Sequence, residues 1–170
     1  MIKKILLIGI LVIAGGFLLM QLVPYGRNHT NPPVVNEPNW DNPETRALAE
    51  RACFDCHSNE TVWPWYSNIA PISWLVYHDT MEGREYLNFS EWGKGLEGEE
   101  GEEMVEQIKQ GEMPMPIYLP MHPEAQLTPA EKSTLISGLL ATAGGSEHER
   151  EGEAHENEAH EDERGEADGD

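Results

Sequence analysis

One five-residue stretch constrains this chain more than any other: Cys53-Phe54-Asp55-Cys56-His57. These are the only two cysteines in 170 residues. A disulfide between them would close a tiny loop and staple little. The cysteines therefore mark a site, not a framework. A thioredoxin-like redox pair needs a βαβ context, which the sequence lacks. A structural zinc site needs two further ligands at regular spacing, and no second cysteine pair exists. Cys-x-x-Cys-His is the attachment signature of c-type haem. Two thiols three residues apart reach the two vinyl groups on one porphyrin edge and form thioethers. The following histidine is then carried to the iron. The predicted cofactor is one haem c, covalent through Cys53 and Cys56, with His57 as its proximal ligand.

A c-type iron with one histidine needs a sixth ligand, and methionine there gives an electron carrier. Candidates lie in Gly111-Glu112-Met113-Pro114-Met115-Pro116. Met113 is preferred, ahead of Met115, with Met121 and His122 behind. The competing reading is that these methionines pack against the ring.

The chain around this motif divides by composition. Lys3 and Lys4 precede an uncharged apolar run from Ile5 to Val23. Its 19 residues make a helix of about 28 Å, close to the hydrocarbon thickness of a bilayer. Residues 1–23 are read as a membrane anchor, against a cleaved signal whose apolar region is usually shorter. The lysines place the rest of the chain outside the cytoplasm. The expected location is thus the inner membrane, with the haem domain on the periplasmic side. Residues 24–42, rich in Pro and Asn, predict an extended stalk.

Residues 43–145 are the predicted haem-binding domain. Pro43 opens a helix to about Phe54. Pro71 starts a second, to about Tyr86. A Gly/Glu-rich loop over 93–103 leads to a third, with Met104, Val105 and Ile108 on one face and Gly111 at its end. Thr128-Pro129-Ala130-Glu131 is a helix start with a capping box. Leu135, Ile136, Leu139 and Leu140 then supply its apolar face. No run alternates as a strand would. The fold class is all-α: a helical domain with long loops, preceded by one transmembrane helix.

The net charge of -20 is shared between this domain and the tail. Phosphate backbones would repel both, so nucleic acid is excluded as a partner. Residues 146–170 hold Glu, Gly and Ala with His148, His155 and His160. They read as a disordered acidic tail, whose histidines allow weak divalent metal binding.

The motif's surroundings resemble a known group, small bacterial proteins with a haem-binding domain of c-type cytochrome character. The resemblance covers most of residues 22–141. It rests on Cys53 to Thr61, Trp63-Pro64-Trp65-Tyr66-Ser67, Ile69-Ala70-Pro71, Ser73-Trp74-Leu75-Val76 and Gly83-Arg84. It continues through Leu87-Asn88-Phe89-Ser90, Trp92, Met113-Pro114, Tyr118, His122, Ala125 and Leu127. The resemblance implies a single covalent haem on a cytochrome c-like helical fold, and its Met-Pro falls on Met113-Pro114.

Trp63, Trp65, Tyr66 and Trp74 are expected to wall the haem. The competing reading makes them ordinary core. Arg84 is a candidate propionate partner, or a surface ion pair. His29 and His78 are expected at the surface. Electron transfer with redox proteins is the expected function. A gas or redox sensor, or a small haem enzyme with a labile distal ligand, is the alternative. The chain has no second haem motif and no evident distal His-Arg pair, so no enzyme activity is expected.

Overall fold

The computed structural model describes residues 1–93 and 100–144. The tail with its three histidines, and most of the expected loop over 93–103, lie outside the described residues. Those described form helices and turns with no strand. They are α1 (Ile2–Met20), α2 (Pro43–Ala52), α3 (Phe54–His57, a single turn), α4 (Ile72–Tyr86), α5 (Glu100–Gln110) and α6 over residues 129–144. Short 3-10 turns lie at Trp65–Asn68, Leu119–Met121 and Pro123–Ala125. The all-α expectation holds.

α1 buries none of its residues. Its length and composition are those of a membrane span, a test that an N-terminal signal sequence also passes.

The chain folds as two compact units of interleaved segments. The first holds residues 1–33 and 55–88. In it α4 packs against the 3-10 turn Trp65–Asn68. Thr80, Ser73 and Gly83 are its buried helical positions. The second holds residues 34–54 and the described residues from 89 to 144. Asn42 caps α2, accepting from the N–H groups of Glu44 (2.8 Å) and Thr45 (3.0 Å), with Pro43 at the first helical position. These bonds satisfy donors that a helix start leaves open. α6 begins as expected: the Thr128 N–H donates to Glu131 (2.8 Å) and the Glu131 N–H to Thr128 Oγ1 (3.3 Å). α6 then crosses α2 closely, since a Cβ at Gly138 would collide with the Thr45 side chain. Leu135 and Leu139 bury themselves beside it. Phe54, Phe89, Trp40 and Trp92 form an aromatic cluster with ring centroids 5.3–6.2 Å apart.

Two expectations need correction. α5 begins at Glu100, inside the stretch read as loop; Gly101 is buried and lets the helix approach Ala143. Residues 24–42 are not a free stalk. Gly26 (φ +74°) is buried on the backbone of Ser73, where no Cβ fits. Asn31 bonds Thr61 within the first unit. In the second, the N–H groups of Val35 and Asn36 donate to Ser90 O, and Trp92 N–H donates to Asn36 O (2.9 Å). Proline and asparagine exclude a helix but leave the backbone and side-chain amides available for bonding.

Candidate haem-binding site

His57 ends α3, and its Nδ1 lies 2.9 Å from Gly83 O and 3.2 Å from Leu87 O. A carbonyl only accepts, so Nδ1 carries the proton. That tautomer leaves the Nε2 lone pair for a metal, and the donated bond raises its basicity. Burial holds the His57 pKa below its usual value, against those two bonds, so the ring is neutral near pH 7. The two acceptors come from the end of α4, which approaches the motif so closely because Gly83 has no side chain. A Cβ there would lie 2.7 Å from Cys56 O. A glycine inside a helix costs about 1 kcal/mol relative to alanine, and this contact is what it permits. That glycine was the one sequence signal for the bracing of His57.

Cys53 and Cys56 are half-buried, and no disulfide joins them. The Cys56 thiol is pushed up to about 12, first by burial, then by Asp55 and Asp79, against the pull of Arg84. Cys56 is thus a neutral thiol near pH 7.

The segment after His57 is fixed by polar side chains. Arg84 donates from Nε to Ser58 O (2.7 Å), and from one terminal nitrogen to Asn31 Oδ1 (2.9 Å) and Thr61 Oγ1 (2.8 Å). Asn31 also donates to Thr61 O and accepts from Trp63 Nε1. Asn88 donates to Asn59, which donates to Pro33 O. Asn31 and Asn59 escaped the sequence reading, because polar residues that bond the backbone leave no periodic pattern.

Trp63 stacks on His29 at 4.6 Å, and His29 bonds Ser67 O at 3.2 Å. The expectation of a surface role for His29 is thereby corrected. His78 is exposed and lies 3.4 Å from Glu82. Tyr66 meets Trp65 edge-on at 5.8 Å, and Trp65 is 70% exposed. The Trp74 Nε1–H is buried and has no partner among the described residues. A buried orphan donor costs about 1–3 kcal/mol, and a cofactor carboxylate would satisfy it. The ligand-ready tautomer of His57, the paired cysteines and this donor all fit a haem.

The structure gathers Cys56, His57, Trp63, Trp65, Tyr66, Trp74 and Arg84 into the first unit, while Cys53 and Met113 belong to the second. Met113 is half-buried, and its N–H donates to Gln107 O at 3.2 Å. Met115 is half-buried and Met121 exposed. His122 is buried, stacked on Tyr118 at 3.8 Å, with Nδ1 3.0 Å from Glu124.

No curated protein and no solved structure matches the chain. The model of the haem-binding domain family matches residues 15–141. With that match over most of its length, the chain belongs to the haem-binding domain family.

Proposed function

We propose that the chain is a membrane-anchored monohaem c-type cytochrome that carries single electrons between redox proteins and is not an enzyme. Cys53 and Cys56 would hold the haem as thioethers, and His57 Nε2 and Met113 Sγ would ligate its iron. α1 is the anchor, and the haem domain lies on the extracytoplasmic side. The observation that carries this reading is the His57 Nδ1–H bonded to Gly83 O and Leu87 O directly after the Cys-x-x-Cys pair. A bound haem iron supplies one reversible oxidation step. The protein's part is to orient the imidazole, hold the motif through Arg84 and Asn31, and offer the Trp74 donor to a propionate. The preference for Met113 rests on its place in a Met-Pro loop, where backbone bonds restrain it.

Two measurements test this. Acid–acetone extraction should leave haem on the protein, and Cys53→Ser with Cys56→Ser should release it; extraction from the unaltered chain overturns covalent attachment. Absorption spectra of both oxidation states should show a weak near-infrared sulfur-to-iron band that vanishes in Met113→Ala, with no carbon monoxide shift in the unaltered chain. Ready carbon monoxide binding by the unaltered chain would move the weight to a gas sensor or an enzyme with a labile distal ligand. Persistence of the band in Met113→Ala would reassign the ligand to Met115 or Met121.

A further inference from the structure

The end of α1 is bonded to the body of the first unit. Gln21 follows the last residue of the helix, near the end of the apolar run that closes at Val23. Its side chain forms a two-way clasp on one residue of the unit. Gln21 Nε2 donates to Ala70 O at 2.8 Å, and Ala70 N–H donates to Gln21 Oε1 at 3.0 Å. Gly26, five residues on, is buried against Ser73 O. Tyr25 meets Tyr77 edge-on at 5.4 Å. Whatever depth Gln21 occupies, Ala70 occupies too.

The stretch around Ala70 is suited to that depth. From Thr61 to His78 the chain has no Asp, Glu, Lys or Arg, although a quarter of all residues are charged. Trp65 is 70% exposed, and Ile72 and Leu75 are each 46% exposed. Ile72 and Leu75 are three apart on α4 and so share a face. Tryptophan and tyrosine concentrate where acyl chains meet headgroups, because an apolar ring and a polar edge are satisfied there together.

We propose that Trp65, Ile72 and Leu75 form a membrane-contact surface, seated in the acyl–headgroup boundary of the bilayer that α1 crosses, with the Gln21–Ala70 clasp setting their depth. This rests on reading α1 as a retained span. The haem-binding unit then lies on the bilayer instead of reaching away from it. The bound surface is a neutral lipid boundary, since the chain's net charge of -20 opposes anionic headgroups.

The test uses the full haem-loaded chain in phosphatidylcholine vesicles, with benzoylphenylalanine replacing Trp65, Ile72 or Leu75 in turn. Leu11 in α1 and Tyr86 serve as reference positions. Tyr86 is 77% exposed and about 21 Å along α4 from Ile72. After irradiation, lipid adducts at 65, 72 and 75 should exceed those at 86 by about tenfold. Gln21→Ala should lower the adducts at 72 and 75 severalfold and leave those at 11 unchanged. Adducts at 11 with none at 65, 72 and 75 overturn the contact surface and keep the anchor. No adducts at 11 overturn both. Adducts at 72 and 75 that ignore Gln21→Ala overturn the clasp as the element that sets depth.

Discussion

The unit that carries His57 and the unit that carries Met113 are built from different bonds. In the second, Leu48, Ala49, Phe54, Phe89, Trp92, Val105, Ile108, Leu135 and Leu139 are buried and outnumber the buried polar residues Thr45, Ser90, His122 and Thr142. In the first, Ala70 is the one fully buried apolar residue among those described. Its interior is Ser58, Asn59, Thr61, Ser67, Ser73 and Thr80. Several of these tie down backbone: Thr61 Oγ1 donates to Asp55 O at 2.8 Å, Ser67 Oγ to Pro64 O at 2.6 Å. Apolar burial yields about 25 cal/mol per Å² without regard to direction. A hydrogen bond contributes only about 1 kcal/mol net but fixes an angle and a distance. The second unit is therefore a source of stability. The first trades stability for the placement of His57.

The largest expected effects lie in the second unit. Phe89 is 1% exposed and touches the rings of Trp40, Phe54 and Trp92. Phe89→Ala should cost about 3–5 kcal/mol and Leu139→Ala about 2–5 kcal/mol in urea unfolding followed by circular dichroism. Asn31→Ala, which cuts bonds to Thr61, Trp63 and Arg84, should cost about 1–3 kcal/mol. Its signature is faster amide exchange over residues 57–63, not a large loss of global stability. Equal costs for Asn31→Ala and Phe89→Ala would break the contrast.

Gly83→Ala sharpens it. The added methyl would meet the backbone of Cys56, which cannot yield cheaply. The expected stability loss is about 1–3 kcal/mol. The same push displaces the carbonyl that holds His57 Nδ1, so the haem absorption spectrum and the reduction potential should change as well. A loss of stability with both unchanged would make Gly83 a packing residue only.

What the sequence discloses follows the same division. Pro43 and the Thr128–Glu131 box announced α2 and α6, because helix-start signals act locally and use few residue types; the Asn42 cap of α2 was not read from the sequence. The core residues Leu135 and Leu139 were legible through helical spacing. The Cys-x-x-Cys-His motif was legible because its chemistry needs that spacing. The first unit was largely hidden. Its bonds run from side-chain amides and hydroxyls to backbone far along the chain, as from Asn31 to residue 61 and from Gln21 to residue 70. Such pairs have no period. Residues 24–42 looked like a stalk because composition reports which regular elements are excluded, not whether a segment packs. The interleaving of residues 34–54 with the described residues from 89 to 144 had no local signal either.

The smallest expected effect separates the units by acid. In the second unit, Glu131 is pulled down to about 2, chiefly by the Thr128 N–H, then by Arg51 and the Thr128 hydroxyl. Glu37 is lowered chiefly by its bonds to Arg46, with burial opposing. Unfolded, both titrate near 4.5. A carboxyl whose folded pKa is depressed contributes stability that is complete above its unfolded pKa. That contribution is lost as pH falls toward the folded value. Asp79 in the first unit has the opposite sign: burial raises its pKa, so protonation favours the folded form. Between pH 4.5 and about 2, amides of α2 and α6 should therefore lose protection, once intrinsic exchange rates are divided out, while those around Asp79 hold theirs. Glu131→Gln should remove part of the α6 response. Equal loss in both units would mean that acid acts through net charge on the whole chain and not through these partners.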